Sequence, residues 1–377
     1  MADVKKGDTV VIAGTRKGLF IFHSPDRRKW KARGPFHEGH EIRHAMLDPS
    51  DGKTVYAGIT SYHWGTRVLR TADFGTRWKK GKESPRFSKK SGLSVAAIWQ
   101  LRTDDEGTLF AGVEPAALFR SGDKGESWQS VEGLNARPGR KDWQPGNGGL
   151  CAHTVLPYPG NPDKMVVGIS SVGILGTKDG GESWKVLNGG IHGVFEPDKV
   201  MKDGEIGTCP HKIARDATDP RILYQQNHAG VYSRVEGADR WVAAETGLPR
   251  TKAEKGRRWT FGFPVVAHPT KKGWAYLVPL ESDWNRVAVG GALAVFRTKD
   301  GGKKWQRLSK GLPQKDAYFT VLRDGARADT NDPAGIYVGT TTGQVYFSRD
   351  DGDSWGPLAD HLPPVHSIEA GVVGGPN

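Results

Sequence analysis

The chain has 377 residues, of which 51 are glycine and 13 tryptophan, with 36% hydrophobic side chains and a formal net charge of +12. No apolar run approaches the ~20 residues that span a bilayer, and two cysteines are too few for a disulfide scaffold. The 54 basic residues are scattered against 42 acidic ones rather than gathered in blocks, which favours solubility over a polyanion-binding face, and no nucleic-acid motif is present.

In chain order, the start MADVKKGDTVVIAG lacks a secretory-type apolar segment, so a cytoplasmic protein with no membrane partner is expected. Thr9–Gly14 and Gly18–Phe22 then read as two short strands. Residues 150–187 show a whole unit: CAHTVLPY, a turn at Pro159–Pro162, KMVVGIS, GILGT, a tight turn and SWKVL. These are four strands joined by hairpins, called A to D in order. The same parts recur from His44 to Trp78, His211 to Ser233, Phe263 to Trp305 and Tyr318 to Trp355.

Each unit is punctuated by an octapeptide of form [ST]-x-D-x-G-x-x-W. Five copies are clean: Thr71–Trp78, Ser121–Trp128, Thr177–Trp184, Thr298–Trp305 and Ser348–Trp355. Two more are worn, at Ser24–Trp30 and Ser233–Trp241. The Asp can accept backbone N–H groups of its own turn, and the Gly supplies a positive φ. The Trp is an apolar body suited to wedging between sheets. Repeats of four strands at this spacing predict a radial array, an all-β, single seven-bladed β-propeller. Because the chain begins at a B strand, Val365–Val373 is expected to supply the missing A strand and close the ring within the first blade. The expected blades of one domain, 1–377, are about 8–30 plus 363–374, 39–79, 93–130, 148–187, 207–243, 258–308 and 316–357.

The octapeptide resembles the Asp-box, or BNR repeat, of sialidase-like propellers. With runs such as RKGLF, AIWQL, EPAALFRSGDKGESW, TFGFPVVAHP and HLPPV, the whole chain is similar to cytoplasmic bacterial propellers labelled sialidase-like or glycosyl hydrolase. That resemblance implies a seven-bladed fold, a structural role for the octapeptide aspartates, and a carbohydrate-binding hydrolase. The R-I-P tripeptide of true sialidases is absent, so a true sialidase is not expected. Fold alone does not decide function.

In a four-stranded blade the D–A and B–C connections open on one face, where a ligand pocket at the axis is expected. Aligning the A strands gives His366, Arg43, Ile98, His153, His211, Phe263 and Tyr318 at one level. From the B–C side come His63, Trp64, Glu114, Gln226, His228, Glu281, Asp283 and Trp284, with Trp99 close by. Glu114 and Glu281 each follow an apolar strand, where partial burial raises a carboxyl pKa toward that of a general acid or base. The expected catalytic set is Glu114, Glu281, His153, His211 and Tyr318. The expected substrate-binding set is Arg43, His63, Trp64, Trp99, Gln226, His228 and His366, with Arg43 holding an anionic group. Long D–A loops at 79–92, 131–149, 188–208 and 244–259 suggest a wall around the pocket.

Cys151 and Cys209 each stand two residues before a histidine, and i and i+2 share a face of a strand. His153, His211 and His366, or the two Cys-His pairs, are therefore candidate ligands for a divalent metal. Three readings stay open: an enzyme acting by hydrolysis or elimination on a carbohydrate or other polar or anionic small molecule, a metal enzyme built on the histidines, and a non-catalytic scaffold for a protein partner.

Overall fold

The alternating runs form strands that hydrogen-bond into seven four-stranded antiparallel sheets, the blades of an all-β propeller. The computed structural model describes residues 4–61, 65–193, 206–250 and 258–375. Among these the one α-helix is a single turn, Glu132–Asn135, and no helix is long and apolar enough to cross a membrane.

Blade 1 takes its A strand from the far end of the chain, Val365–Val372, beside Thr9–Thr15, Gly18–Ser24 and Lys31–Phe36. Backbone bonds Gly7 N to Val373 O and Val373 N to Asp8 O, both 2.9 Å, continue that pairing. The other blades run in simple order. Their A strands are Glu41–Leu47, Ala97–Thr103, Ala152–Tyr158, Pro210–Arg215, Phe261–Ala267 and Ala326–Ala328. The last departs from expectation: the A strand of blade 7 begins at Ala326, and the apolar stretch at Tyr318 precedes it.

Cα proximity groups the chain into two compact units, residues 1–186 with 366–377 and residues 187–365. In the first, side chains alternate into apolar layers such as Val10, Ile12, Ile21, Ile42 and Leu47, or Ile98, Leu101, Ala111 and Phe119. Each such fully buried aliphatic side chain contributes about 1.5–3 kcal/mol. Glycines on B strands let the next blade approach. A Cβ on Gly58 would lie 2.6 Å from Ile98 Cβ, and one on Gly112 would lie 2.2 Å from Ala152 O. In the second unit, Trp305 is buried among Tyr224, Val231 and Ala244 of the preceding blade and donates its indole N–H to Ala244 O at 2.8 Å. That is the wedge expected of the octapeptide tryptophan.

The octapeptide turn is built by two side chains. In blade 3 the Ser121 hydroxyl donates to Asp123 Oδ1 at 2.7 Å and accepts Gly125 N–H at 2.8 Å. Asp123 Oδ1 in turn accepts Ser127 N–H at 2.9 Å. The same bonds recur at Thr71, Thr177, Thr298 and Ser348. Bonding to Ser127 first, then to its backbone N–H and to Ser121, holds the Asp123 carboxyl down at about 2. The fifth-position glycine is left-handed, Gly125 at φ 82°, and so is the fourth residue, Lys124 at φ 59°. These carboxylates are consumed by their own turns.

Candidate functional site

One irregularity recurs in both units. In five consecutive blades the A strand carries one residue more than its B-strand partner. The extra residue is Arg43, Trp99, His153 and His211 in blades 2 to 5, and lies at Phe263–Pro264 in blade 6. A bulge bends the strand and re-aims the side chain it carries, and bulges concentrate beside active sites. The expectation of Ile98 at this level is corrected by one residue. Ile98 pairs with Val113 and is fully buried against the core, so Trp99 takes the bulged position.

In the first unit these positions assemble a polar row. His366 Nε2 lies 3.1 Å from Glu41 Oε1, and Arg43 Nη2 lies 3.3 Å from the same oxygen. The Arg43 guanidinium stands 4.9 Å over the Trp99 ring, whose indole N–H donates to Glu114 Oε2 at 2.8 Å. The His366 imidazole beside it, opposed by burial and helped by the charges of Arg43 and Arg16, holds the Glu41 carboxyl below its ordinary range. Glu41 is therefore an ionised acceptor at neutral pH, and Glu114 is engaged by an indole. Gly149 backs that indole-bonded carboxylate: a Cβ there would fall 2.3 Å from Glu114 Oε1.

The second unit holds an aromatic and basic cluster. His211 Nδ1 donates to Gly262 O at 2.6 Å, and its ring lies 4.7 Å from Phe263 and 5.5 Å from His228. His228, at the turn between the B and C strands of blade 5, has Nε2 3.5 Å from Asp283 Oδ2. Asp283 belongs to the long B–C connection of blade 6, where its carbonyl accepts Arg286 Nε–H at 2.8 Å. Arg286 and Arg323 lie 5.5 and 5.2 Å from the centre of the Phe263 ring. Burial pulls the His228 pKa below its ordinary value and both guanidiniums push the same way, against the Asp283 charge. At neutral pH His228 is an uncharged base. Two aromatics stand out into solvent here, Trp284 at 84% exposed and Tyr318 at 68%.

The remaining expected residues fall variously. His153 is fully buried, with Nδ1 3.0 Å from Thr154 Oγ1. Gln226 is fully buried and donates to Asn227 O at 2.9 Å. Glu281 Oε2 accepts Gly290 N–H at 2.9 Å and braces its own loop. His63 and Trp64 lie outside the described residues. Among the described residues no group of three or more His, Cys, Asp or Glu side chains is placed to hold a metal. The bulge on each histidine breaks the i, i+2 parity that put Cys151 beside His153 and Cys209 beside His211. Cys151 Sγ instead meets Ser170 Oγ at 3.2 Å. A cavity of about 470 Å³ in the second unit, lined by Leu248, Pro249, Pro279, Ala294, Phe296 and Arg307 among others, contains none of the expected residues. Sequence reasoning missed Glu41, Arg286 and Arg323. Glu41 had a signal, standing two residues before Arg43 on a predicted strand, whereas Arg323 was hidden by the misplaced A strand of blade 7.

No family model matches the chain. A xyloglucanase from Paenibacillus sp. is 25% identical over 308 residues, which are 72% of this chain and 27% of that protein. The crystal structure of the GH74 xyloglucanase from Xanthomonas campestris superposes with a TM-score of 0.64 at 18% identity, over 98% of this chain and 53% of that one. YCF48 from Cyanidioschyzon merolae gives a TM-score of 0.51 at 16% identity over 84% of each chain. These likenesses show the propeller fold. The chain spans about a quarter of the length of the curated relative and about half that of the Xanthomonas enzyme.

Proposed function

We propose that this protein is an Asp-box propeller that binds a carbohydrate and hydrolyses it at the face carrying His228 and the B–C connection of blade 6. The carrying observation is Trp284, 84% exposed, next in sequence to the carboxylate that pairs with His228 at 3.5 Å. A large aromatic face in water costs solvation unless something covers it, and a sugar ring's C–H face does so well. Stacking there sets a glycosidic bond beside an acid–base pair. The similarity to xyloglucanases supports the substrate class.

Roles follow from the chemistry of each group. Neutral His228 takes a proton from the water whose oxygen bonds to the anomeric carbon, and Asp283 steadies the imidazolium that forms. The glycosidic C–O bond breaks, and the leaving oxygen takes a proton from the exposed Tyr318 hydroxyl. Glu114 and Glu281 serve as braces, because an indole and a backbone N–H already occupy their carboxylates. Arg43, Trp99 and His366, with Glu41, form a separate polar surface within the first unit.

Reducing-end release from a panel of plant and bacterial polysaccharides tests the reading. Turnover that His228→Ala abolishes and Glu281→Gln leaves measurable supports it. Turnover untouched by His228→Ala refutes the assignment.

A further inference from the structure

We propose that Arg286 and Arg323 form a carboxylate-binding subsite, so that the ligand held at Trp284 is a glycan carrying a uronic acid. This rests on the carbohydrate reading above and names the substrate class within it. The two arginines come from different blades, one from the B–C connection of blade 6 and the other from the segment leading into the A strand of blade 7. They nevertheless converge on one aromatic ring, Phe263, at 5.5 and 5.2 Å.

The donors of Arg286 are only partly used. Its Nε–H goes to Asp283 O at 2.8 Å, and its two terminal nitrogens make no hydrogen bond to any described residue. A guanidinium lying on an aromatic ring keeps its N–H groups in its own plane, pointing outward as a fork that matches a carboxylate. Arg323 is 8% exposed, so charge it presents to a ligand is little screened by water. Beside it, Lys212 Nζ is bound to Asp324 Oδ1 at 2.6 Å, both groups largely buried. His228, uncharged at neutral pH, leaves the neutralisation of an anion to the guanidiniums. Trp284 stands two residues before Arg286 on the same connection, so an aromatic platform and a carboxylate fork are offered together. That pairing suits an acid group borne on a pyranose ring.

The test is calorimetric titration of the full chain with a glucuronate-bearing oligosaccharide and with its carboxyl-reduced counterpart, which differs only in –CH₂OH for –COO⁻. The acid is expected to bind at least about tenfold more tightly, since a carboxylate takes charge-assisted hydrogen bonds from the fork that a hydroxymethyl group cannot. Arg286→Gln removes that preference, and Arg286→Lys, which keeps charge but loses the fork, restores part of it. Arg323→Gln behaves likewise where its melting curve matches the parent; Arg286, being partly exposed, carries the test if it does not. Equal binding of both oligosaccharides, unchanged by Arg286→Gln, overturns the subsite and leaves the carbohydrate reading standing. Binding of neither overturns both. Inorganic phosphate displacing the acid at a concentration equal to that of free glucuronate overturns the assignment to a sugar acid.

Discussion

Gly112 sits on the B strand of blade 3, where it pairs with Leu118 and Gln100. A methyl group there would stand 2.2 Å from Ala152 O, 3.2 Å from Ala152 C and 3.1 Å from Val155 Cγ2. Non-bonded contacts of this kind relax near ~3.5 Å, so Gly112→Ala demands a shift of roughly 1 Å. The obstructing atom is backbone, in the strand that carries the His153 bulge, and it cannot turn away as a side chain would. Overpacking of this sort costs about 1–3 kcal/mol, and an immovable partner puts it at the upper end. The smaller unfolded-state entropy of alanine returns only about 0.4–1 kcal/mol. The net expectation is a loss of about 2 kcal/mol, read as a lower urea midpoint at unchanged slope. Gly122→Ala is the matched control, because nothing lies within 4 Å of a Cβ there; it should be neutral or stabilising. A Gly112→Ala protein that unfolds within about 0.5 kcal/mol of the parent would refute the close approach of blades 3 and 4.

Four further outcomes are expected. Trp284→Ala should leave the urea midpoint unchanged while weakening oligosaccharide binding about tenfold or more, measured by calorimetry, because the ring is 84% exposed and has little packing to lose. Trp99→Phe keeps an aromatic ring under Arg43 but removes the donor to Glu114 Oε2, and should cost about 1–3 kcal/mol in the same urea assay. In NMR titration His228 should titrate below the ordinary histidine value of 6.5; Asp283→Asn should move it further down and Arg286→Gln should move it up. Asp123, whose carboxyl is held at about 2 against 3.8 ordinarily, contributes stability that is fully present above the unfolded value and is lost as pH falls through the folded one. Stability should therefore decline between about pH 4 and 2 more steeply in the parent than in Asp123→Asn, as followed by denaturant midpoints across that range.

The blade order was legible because the octapeptide binds itself. Ser121, Asp123 and Gly125 satisfy one another within five residues, so the turn is written locally and the strands around it follow. The closing strand was legible in the alternation of Val365–Val373, and the strand there pairs beside Thr9–Thr15. The bulges were not. They depend on how one blade seats against the next, as where Gly58 admits Ile98, and no local pattern announces that Trp99 rather than Ile98 will be extruded. The A strand of blade 7 was misplaced because Tyr318–Leu322 has strand-like alternation, yet its bonds run to Thr341 rather than into the ladder. That displacement concealed Arg323. Arg286 stands in an irregular loop with no periodicity to mark its direction, and its convergence with Arg323 on Phe263 depends on how blades 6 and 7 pack.

A crystal structure of the protein soaked with an oligosaccharide that it binds in solution tests the central claim most directly. The expected result is a sugar ring seated on the Trp284 face, with a polar group of that ring within hydrogen-bonding distance of His228. A sugar bound elsewhere, with Trp284 still bare to solvent, would contradict it.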